Sequence, residues 1–302
     1  MMFRTLPKFE YLSPGSVEEA VAFFKENGEN TKVLAGGTDL IPDMRWGEHR
    51  PRYVMSLGQV RGLDKIEFDE KTGLKLGAMC RIAQIEKSPL IRSRYPLLSQ
   101  AASVLGSREI RNRATVGGNL CTAAPSADMP PSLLALDAKA VIASHEGERT
   151  VPLDEFFKGP KKNSLDKGEI LVRLELPPVR HNSAGEYIKF GRRRAMEISM
   201  IGVAAFLAID PGDGACIQAR LALATAAPTP IRAKEAEKVL SGKKLDQEII
   251  ALAASTTLGE CSPRSSWRTT EEYRKELIPV LVRRAINSAL SKLGYGYRGG
   301  MQ

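Results

Sequence analysis

The chain has 302 residues, of which 43% are apolar and 26% are charged, and this balance excludes a disordered or fibrous protein. The length allows two or three globular domains. A formal net charge of +9 is spread over short basic clusters and only 6% of the residues are aromatic, which disfavours a stacking platform for nucleic acid.

The cysteines and the apolar stretches exclude further classes of protein. The four cysteines lie far apart and form no C-x-x-C pair, which disfavours a disulfide framework and a metal or iron–sulfur site held by this chain alone; they are Cys80, Cys121, Cys216 and Cys261. The N-terminus lacks a basic head followed by an apolar core, and the longest apolar stretch, residues 198–209, is too short to cross a bilayer. We therefore expect a cytoplasmic protein without a membrane span.

In chain order, the first predicted element is a helix over residues 13–28, with Ser16 as its N-cap and Glu19 completing a capping box. Apolar or alternating runs predict strands at residues 32–34, 53–57, 63–68, 74–78, 138–143 and 170–176. Further helices are predicted at residues 82–88, 97–105 and 129–136. A double proline at 177–178, followed by a polar stretch, predicts a domain boundary.

Beyond this boundary the pattern changes from strands to helices. Strands are predicted at residues 187–190, 203–209 and 219–226, and helices at 231–240, 246–258 and from Thr269 onward. The last helix is predicted to have a capping-box Glu272, a kink at Pro279 and a buried stripe of Tyr273, Leu277, Leu281 and Ala285. The predicted domains are 1–178, with subdomains 1–58 and 59–178, then 179–293 and a flexible tail at 294–302.

Two glycine doublets, in residues 35–40 (AGGTDL) and 115–120 (TVGGNL), are the most distinctive feature of the sequence. A glycine pair beside Thr or Asn is commonly an ordinary turn. Here an apolar strand leads into the first doublet, and residues 110–116 lead into the second across a basic stretch of Arg108, Arg111 and Arg113. Glycines without a Cβ and free backbone N–H groups suit a phosphate, so we predict that both doublets form one pyrophosphate site. The G-x-G-x-x-G and G-x-x-x-x-G-K-[ST] motifs are absent near them, which disfavours Rossmann and P-loop folds.

The motifs together resemble a known family. With both doublets, residues 125–128 (PSAD) and the C-terminal pattern 273–277 (YRKEL), the sequence resembles the FAD-binding (medium) subunit of molybdenum hydroxylases, the group that includes xanthine dehydrogenase and aerobic carbon monoxide dehydrogenase. The resemblance extends over about residues 3–290. It implies an α+β fold: a two-part FAD-binding domain of the vanillyl-alcohol-oxidase/PCMH-like type, then a C-terminal domain with a small antiparallel sheet and a helical bundle.

The resemblance also implies a set of FAD contacts in this chain. The pyrophosphate and ribityl chain would be wrapped by one segment and closed by the other; these are Val33, Leu34, Ala35, Gly36, Gly37, Thr38, Asp39 and Leu40, then Thr115, Val116, Gly117, Gly118 and Asn119. Positions near the isoalloxazine would be Leu105, Asp128, Leu171, Lys189 and Ile198. The ammonium of Lys189 would stabilise the negative charge that reduction places on the flavin, and so raise its potential.

The same resemblance implies a division of labour between subunits. A molybdenum-cofactor large subunit would hydroxylate the substrate, and a small subunit with [2Fe–2S] clusters would pass electrons to the FAD of this chain and on to NAD+ or another acceptor, in a dimer of heterotrimers. The aliphatic Ile198, where carbon monoxide dehydrogenase-like subunits have a tyrosine, favours the xanthine dehydrogenase branch. Residues 119–137 contain only Cys121, which argues against the branch with an additional four-cysteine cluster.

Three alternatives stay open at this point. One is a carbon monoxide dehydrogenase-like medium subunit that uses a quinone or other acceptor. Another is a stand-alone FAD oxidase, for which Cys121 would be a candidate site of covalent attachment, and the third is a nucleotide-binding scaffold without redox function. No catalytic residue is predicted in this chain, since His49, His145 and His181 lie in polar loop segments and no nucleophile–base pair is recognisable.

Overall fold

The computed structural model describes residues 5–193 and 195–295. The strands are β1 (Glu10–Leu12), β2 (Thr31–Leu34), β3 (Tyr53–Ser56), β4 (Ile66–Asp69), β5 (Gly73–Gly77), β6 (Lys139–Ser144), β7 (Gly147–Pro152), β8 (Phe157–Gly159), β9 (Lys162–Asn163), β10 (Ile170–Leu176), β11 (Ser183–Phe190), β12 (Ile201–Ile209), β13 (Cys216–Ala224) and β14 (Ile231–Arg232). The helices are α1 (Val17–Asn27), α2 (Leu40–Trp46), α3 (Ile82–Lys87), α4 (Pro89–Arg94), α5 (Pro96–Ser103), α6 (Arg108–Arg113), α7 (Val116–Cys121), α8 (Met129–Ala135), α9 (Leu153–Phe156), α10 (Lys234–Leu240), α11 (Gln247–Gly259) and α12 (Glu271–Lys292).

The chain begins with a small parallel sheet of order β1-β3-β2, crossed by α1. The predicted helix forms because its apolar residues Ala20 and Val21 are buried and because the hydroxyl of Ser16 accepts a hydrogen bond from the amide of Glu19. The capping box differs from the prediction, since the Glu19 carboxylate accepts from the amide of Gly15 at 2.7 Å. Strand β1 was not predicted, because its three residues are too few to show a period.

A second, antiparallel sheet has the order β4-β5-β10-β6-β7 and carries the predicted hairpin at its edge. Its central strand β10 contains a bulge between Leu171 and Arg173, where the register against β6 shifts. The bulge changes which face the side chains occupy: Ile170 and Val172 pack against α1 and β3, whereas Leu171, Leu174 and Leu176 pack on the opposite side. A bulge of this kind redirects a side chain, and here the residue beside it is Leu171.

The C-terminal part is an antiparallel sheet of order β11-β12-β13-β14 covered by α10, α11 and α12. All nine residues of β12 are buried. Ile201, Val203 and Leu207 face a core formed with α11 and α12, whereas Ala204 and Phe206 face the core of the N-terminal part. A strand buried on both faces has an unbroken apolar sequence, which explains the long apolar stretch noted above.

Three sequence predictions in this region are wrong in detail. Residues 231–232 form the short strand β14 beside β13, so that only α10 remains of the predicted helix 231–240. The N-cap of α12 is Thr270, whose hydroxyl accepts from the amide of Tyr273, so Glu272 completes no capping box. Tyr273 is exposed, whereas Leu277, Leu281 and Ala285 are buried as predicted.

The predicted domain limits remain predictions, and most of the predicted tail, residues 296–302, lies outside the described residues. Each helix within residues 5–193 and 195–295 is too short or too polar to span a bilayer.

Candidate nucleotide-binding site

A cleft of about 690 Å³ lies between the first sheet and the second, and both glycine doublets line it. Most of the predicted contacts are on its wall: Val33, Ala35, Gly36, Gly37, Thr38, Asp39, Leu40, Leu105, Thr115, Gly117, Gly118, Asn119 and Leu171. These residues come from three separate parts of the sequence. The fold therefore brings the predicted contacts together in one place.

The first doublet lies in the connection between β2 and α2, and its backbone amides are open. Gly37 has φ +74°, a left-handed conformation that favours glycine. Within residues 5–193 and 195–295, no group accepts a hydrogen bond from the amides of Gly36, Gly37, Thr38, Asp39 or Leu40. Consecutive amides without a protein partner on the wall of a cleft can donate to an anion such as a pyrophosphate.

The second doublet differs from its prediction. Residues 108–121 form α6 and α7 rather than an extended lead into a loop. The amide of Gly117 donates to the carbonyl of Ala78 at 2.8 Å, and that of Gly118 donates to the hydroxyl of Thr115 at 3.1 Å. The expectation that both doublets offer free amides is therefore wrong for the second, which is bonded to its own fold.

The glycines allow close packing that the sequence did not show: Gly36 touches the residues before the second doublet, and Gly117 touches Ala78. A Cβ on Gly36 would lie 2.2 Å from the carbonyl oxygen of Arg113, and one on Gly117 would lie 2.7 Å from the Cβ of Ala78. A Cβ on Gly118 would lie 3.6 Å from the Cβ of Ala35. The hydroxyl of Thr122 also donates to the carboxylate of Asp39 at 2.9 Å. The two doublets thus face each other across one cleft, as the sequence predicted.

Asn119 contributes a polar atom to this wall, and Leu105 contributes an apolar side chain. The Oδ1 atom of Asn119 is buried and has no hydrogen-bond partner among the described residues, so it is an unused acceptor beside the cleft. The Leu105 carbonyl accepts from Arg111 at 3.1 Å, and Arg111 also pairs with Glu86 at 2.8 Å. Arg111 therefore positions Leu105 and is already neutralised, so it is not available to a phosphate.

Asp128 and Lys189 do not line the cleft and instead bond to each other. The Nζ atom of Lys189 donates to Oδ2 of Asp128 at 2.8 Å and to the carbonyl of Val104 at 3.1 Å, next to Leu105. The hydroxyl of Tyr187 donates to Oδ1 of Asp128 at 3.0 Å. Burial raises the pKa of the Asp128 carboxyl, and the Lys189 ammonium offsets part of that rise. Tyr187 was not predicted; its place two residues before Lys189 on the predicted strand, which puts both side chains on one face, was the available signal.

Three other predicted contacts occupy different surroundings. Ile198 is 47% exposed in the segment between β11 and β12, Val116 is fully buried behind the doublet, and Leu34 lies at the end of β2. None of these three side chains is on the cleft wall. Their roles toward a cofactor stay predictions.

A further part of the cleft wall is formed by residues 161–171, of which only Leu171 was predicted from the sequence. Arg149 braces this wall: it donates to both carboxylate oxygens of Glu169 at 2.6 Å and to the carbonyl of Ser164 at 2.6 Å. Glu169 in turn accepts from the amide of Asp166 at 2.7 Å. A bidentate Arg–carboxylate pair fixes geometry well, so this loop has a defined position.

Comparison with known proteins gives a consistent result. The family model described as "FAD binding domain in molybdopterin dehydrogenase" matches residues 7–179, and that described as "CO dehydrogenase flavoprotein C-terminal domain" matches residues 186–289. The chain belongs to the family of FAD-binding subunits of molybdenum hydroxylases. The fold predicted from the resemblance is confirmed: a two-part FAD-binding domain is followed by a C-terminal domain.

Individual family members match almost the whole chain. The putative xanthine dehydrogenase FAD-binding subunit XdhB of Escherichia coli (strain K12) is 35% identical, over 94% of this chain and 97% of that protein. The carbon monoxide dehydrogenase medium chain of Hydrogenophaga pseudoflava is 30% identical, over 95% and 98%. The structure of carbon monoxide dehydrogenase from H. pseudoflava lacking the Mo-pyranopterin moiety superposes with a TM-score of 0.91 and 32% identity, over 95% of this chain and 99% of that chain.

The site fits the cofactor of this family. Five open amides at residues 36–40 supply donors for the FAD pyrophosphate, and the unused Oδ1 of Asn119 supplies an acceptor. The cleft is large enough for much of a dinucleotide. FAD is therefore the cofactor of this chain, an oxidoreductase subunit.

Proposed function

We propose that this chain is the electron-transfer subunit of a molybdenum hydroxylase of the xanthine dehydrogenase type. In this proposal it accepts electrons from the [2Fe–2S] clusters of a small partner subunit and delivers them to NAD+ or another acceptor, while a molybdenum-cofactor large subunit hydroxylates the substrate. We propose a dimer of heterotrimers in the cytoplasm. The observation that carries the proposal is the run of open amides at residues 36–40 facing Gly117 and Gly118 across the cleft.

Bound FAD would supply the redox chemistry, and the residues of this chain would bind it, orient it and set the charge around it. Residues 36–40 would donate to the pyrophosphate, Thr38 would add a hydroxyl, and Asn119 would accept a hydrogen bond. Leu105 and Leu171 would contact the ring system, with Leu171 placed by the bulge of β10. The charge of Lys189, behind Leu105, would act on the ring through the wall of the cleft.

The acceptor can be tested on the isolated chain reconstituted with FAD. If NAD+ is the acceptor, anaerobic NADH should bleach the flavin absorbance rapidly in a stopped-flow experiment, because the reaction also runs in reverse. Bleaching by a reduced quinone analogue but not by NADH would instead support the carbon monoxide dehydrogenase-like alternative. A purified chain that takes up no FAD would contradict the whole proposal and would favour the scaffold without redox function.

Cys121 bears on the stand-alone oxidase because it lies on the cleft wall. Burial raises the pKa of its thiol to about 12, and the thiolate is the form that reacts, so little of the reactive form is present for covalent attachment of a flavin. Acid precipitation decides between the two: we expect the yellow colour to stay in the supernatant. Colour that remains with the denatured polypeptide would favour the covalent oxidase.

A further inference from the structure

An exposed tryptophan surrounded by arginines lies away from the cleft, on the C-terminal part of the chain. Trp267 is 73% exposed, and the guanidinium carbons of Arg268 and Arg192 lie 4.2 Å and 4.8 Å from its ring centroid. Met196 and Ile198 are also exposed, at 56% and 47%, on the neighbouring residues 195–199. We refer to Trp267, Arg192, Arg268, Met196 and Ile198 as the Trp267 patch.

Positive charge around the Trp267 patch is poorly compensated. Five arginines contribute to it or lie directly beneath it: Arg192, Arg193, Arg264, Arg268 and Arg274. Among the residues that the structure describes, Glu197 is the only carboxylate that forms an ion pair with any of them, with Arg193 at 3.0 Å and with Arg268 at 3.9 Å. Such a surplus of one sign attracts an anionic partner.

Arg274 shows that the surplus extends into the interior. Arg274 is only 3% exposed. Its guanidinium donates to the carbonyl of Arg264 at 2.8 Å and to the hydroxyl of Ser266 at 3.0 Å, both neutral acceptors. Its Nε atom and that of Arg268 are buried and have no hydrogen-bond partner within the described part of the chain. Burial and the charges of Arg264 and Arg268 lower the pKa of Arg274. The Arg274 guanidinium bonds only to neutral acceptors among the described residues, so its charge adds to the positive potential at the surface of the Trp267 patch.

We propose that the Trp267 patch is the docking surface for a partner subunit that presents carboxylates beside an apolar contact. This inference rests on the proposed function, which requires partner subunits. Trp, Arg and Met are the residues enriched in the cores of protein interfaces, and an exposed Trp among them is a typical anchor. Arginine binds carboxylates in a bidentate manner, which supplies orientation as well as attraction.

The position of the patch couples it to the cofactor cleft. The amide of Met196 donates to the carbonyl of Gly106 at 3.2 Å, and Gly106 follows Leu105 on the cleft wall. A subunit docked on Met196 and Ile198 therefore contacts a loop bonded to this wall. A nucleotide is the less suitable occupant, because two guanidinium groups already stack on the Trp267 ring and leave less of it for a nucleobase.

The test compares the isolated chain with the native complex, purified through an affinity tag on this chain at low ionic strength. Hydroxyl-radical labelling should modify Trp267 and Met196 readily in the isolated chain and at least tenfold more slowly in the complex. Hydrogen exchange of residues 191–199 and 262–275 should slow in parallel. Labelling of Trp267 that is equal in both samples would overturn the inference, whereas recovery of the wild-type chain without partner subunits would count against the proposed function.

Two variants with matched controls exclude a folding defect. Trp267→Ala and Arg192→Glu should each reduce co-purification of the partner subunit at least tenfold. The controls Trp46→Ala, at a residue 65% exposed on α2, and Arg284→Glu, on the exposed face of α12, should not reduce it.

FAD content measured in every sample separates the two proposals. A colourless wild-type chain counts against the proposed function, whereas full FAD content with unchanged assembly in Trp267→Ala counts against the docking surface alone. Slower Trp267 labelling of the isolated chain on addition of NAD+ or ADP would instead identify a nucleotide site.

Discussion

Lys189 and Asp128 form a buried ion pair in which Nζ lies 2.8 Å from Oδ2, directly behind the wall of the cleft. Their side chains are 10% and 8% exposed, so the pair is shielded from solvent and its charges act over a longer range than surface charges do. Lys189 therefore lies behind the cleft wall, next to Val104 and Leu105, rather than on it.

Replacing Lys189 by Met should lower the midpoint potential of bound FAD while leaving it bound, because the ammonium no longer stabilises the reduced cofactor. It should also reduce the free energy of unfolding by about 3–5 kcal/mol, since the Asp128 carboxylate is left buried without its partner. The double variant Lys189→Met/Asp128→Asn should recover much of that stability. Spectroelectrochemical titration measures the potential, and an unchanged value would remove Lys189 from the proposed role.

The stability of the Lys189→Met variant should depend on pH more steeply than that of the wild type. Burial raises the pKa of Asp128 in the folded chain, and loss of Lys189 removes an interaction that lowers it. A group with a raised pKa in the folded state contributes stability below its unfolded pKa and loses it as pH rises through the folded pKa. Urea unfolding between acidic and neutral pH should therefore show that the free energy of unfolding of the variant falls as pH rises. An equal dependence of this free energy on pH in both proteins would contradict this.

Gly36→Ala should separate the two segments that form the cleft. Its Cβ would lie 2.2 Å from the Arg113 carbonyl oxygen and 2.8 Å from the Ala114 Cα, and these backbone atoms cannot move without opening the contact. We expect a loss of about 1–3 kcal/mol in unfolding free energy and at least tenfold weaker FAD binding. Gly259→Ala, in α11 with open space around it, is the control and should be neutral or stabilising by up to about 1 kcal/mol.

Asn119→Ala should affect the free and FAD-bound forms differently. The Oδ1 atom has no partner in the described chain, so its loss should leave the stability of the FAD-free protein unchanged or slightly higher. If FAD supplies the missing donor, its affinity should fall by about 1–3 kcal/mol. Asn163→Ala is the contrast, because its side chain bonds to the Cys121 carbonyl at 2.8 Å and to the Leu165 amide at 3.0 Å. Equal destabilisation of both FAD-free variants would argue against an unused acceptor.

Glu169→Gln should make the part of the cleft wall formed by residues 161–171 less rigid. It should also remove the acid dependence of FAD release. The hydrogen bond from Arg149 lowers the pKa of Glu169 below 4.5, its ordinary value, so its contribution is present above that value and is lost as pH falls through the folded pKa. Arg149 is 40% exposed, so we expect only about 1 kcal/mol, or roughly fivefold faster FAD release. Flavin fluorescence after dilution measures the release. A variant whose release accelerates in acid as much as the wild type would contradict this role.

The local sequence predicted most elements, since each depends on patterns within a few residues. The helix 13–28, the hairpin 63–78 and strand 170–176 are examples, and β10 was predicted at its observed bounds. The errors occur where a residue distant in sequence determines the local structure. Residues 231–232 have a helical pattern but form a strand, because they pair with β13. Tyr273 lies in the first turn of α12 and is exposed, whereas Leu277, one turn later, packs into the C-terminal core.

The sequence alone predicted that the two glycine doublets belong to one site, and the structure shows why two of the four glycines are needed: a Cβ would lie 2.2 Å from the Arg113 carbonyl oxygen at Gly36 and 2.7 Å from the Ala78 Cβ at Gly117. Only the tertiary structure decided what the glycines do. The amides of Gly117 and Gly118 are used by Ala78 and Thr115, whereas those of residues 36–40 stay open, and a hydrogen bond to a carbonyl nearly 40 residues away leaves no local signal. For the same reason the pairing of Asp128 with Lys189 and the bracing of the cleft by Arg149 follow from the fold and not from the pattern of residues.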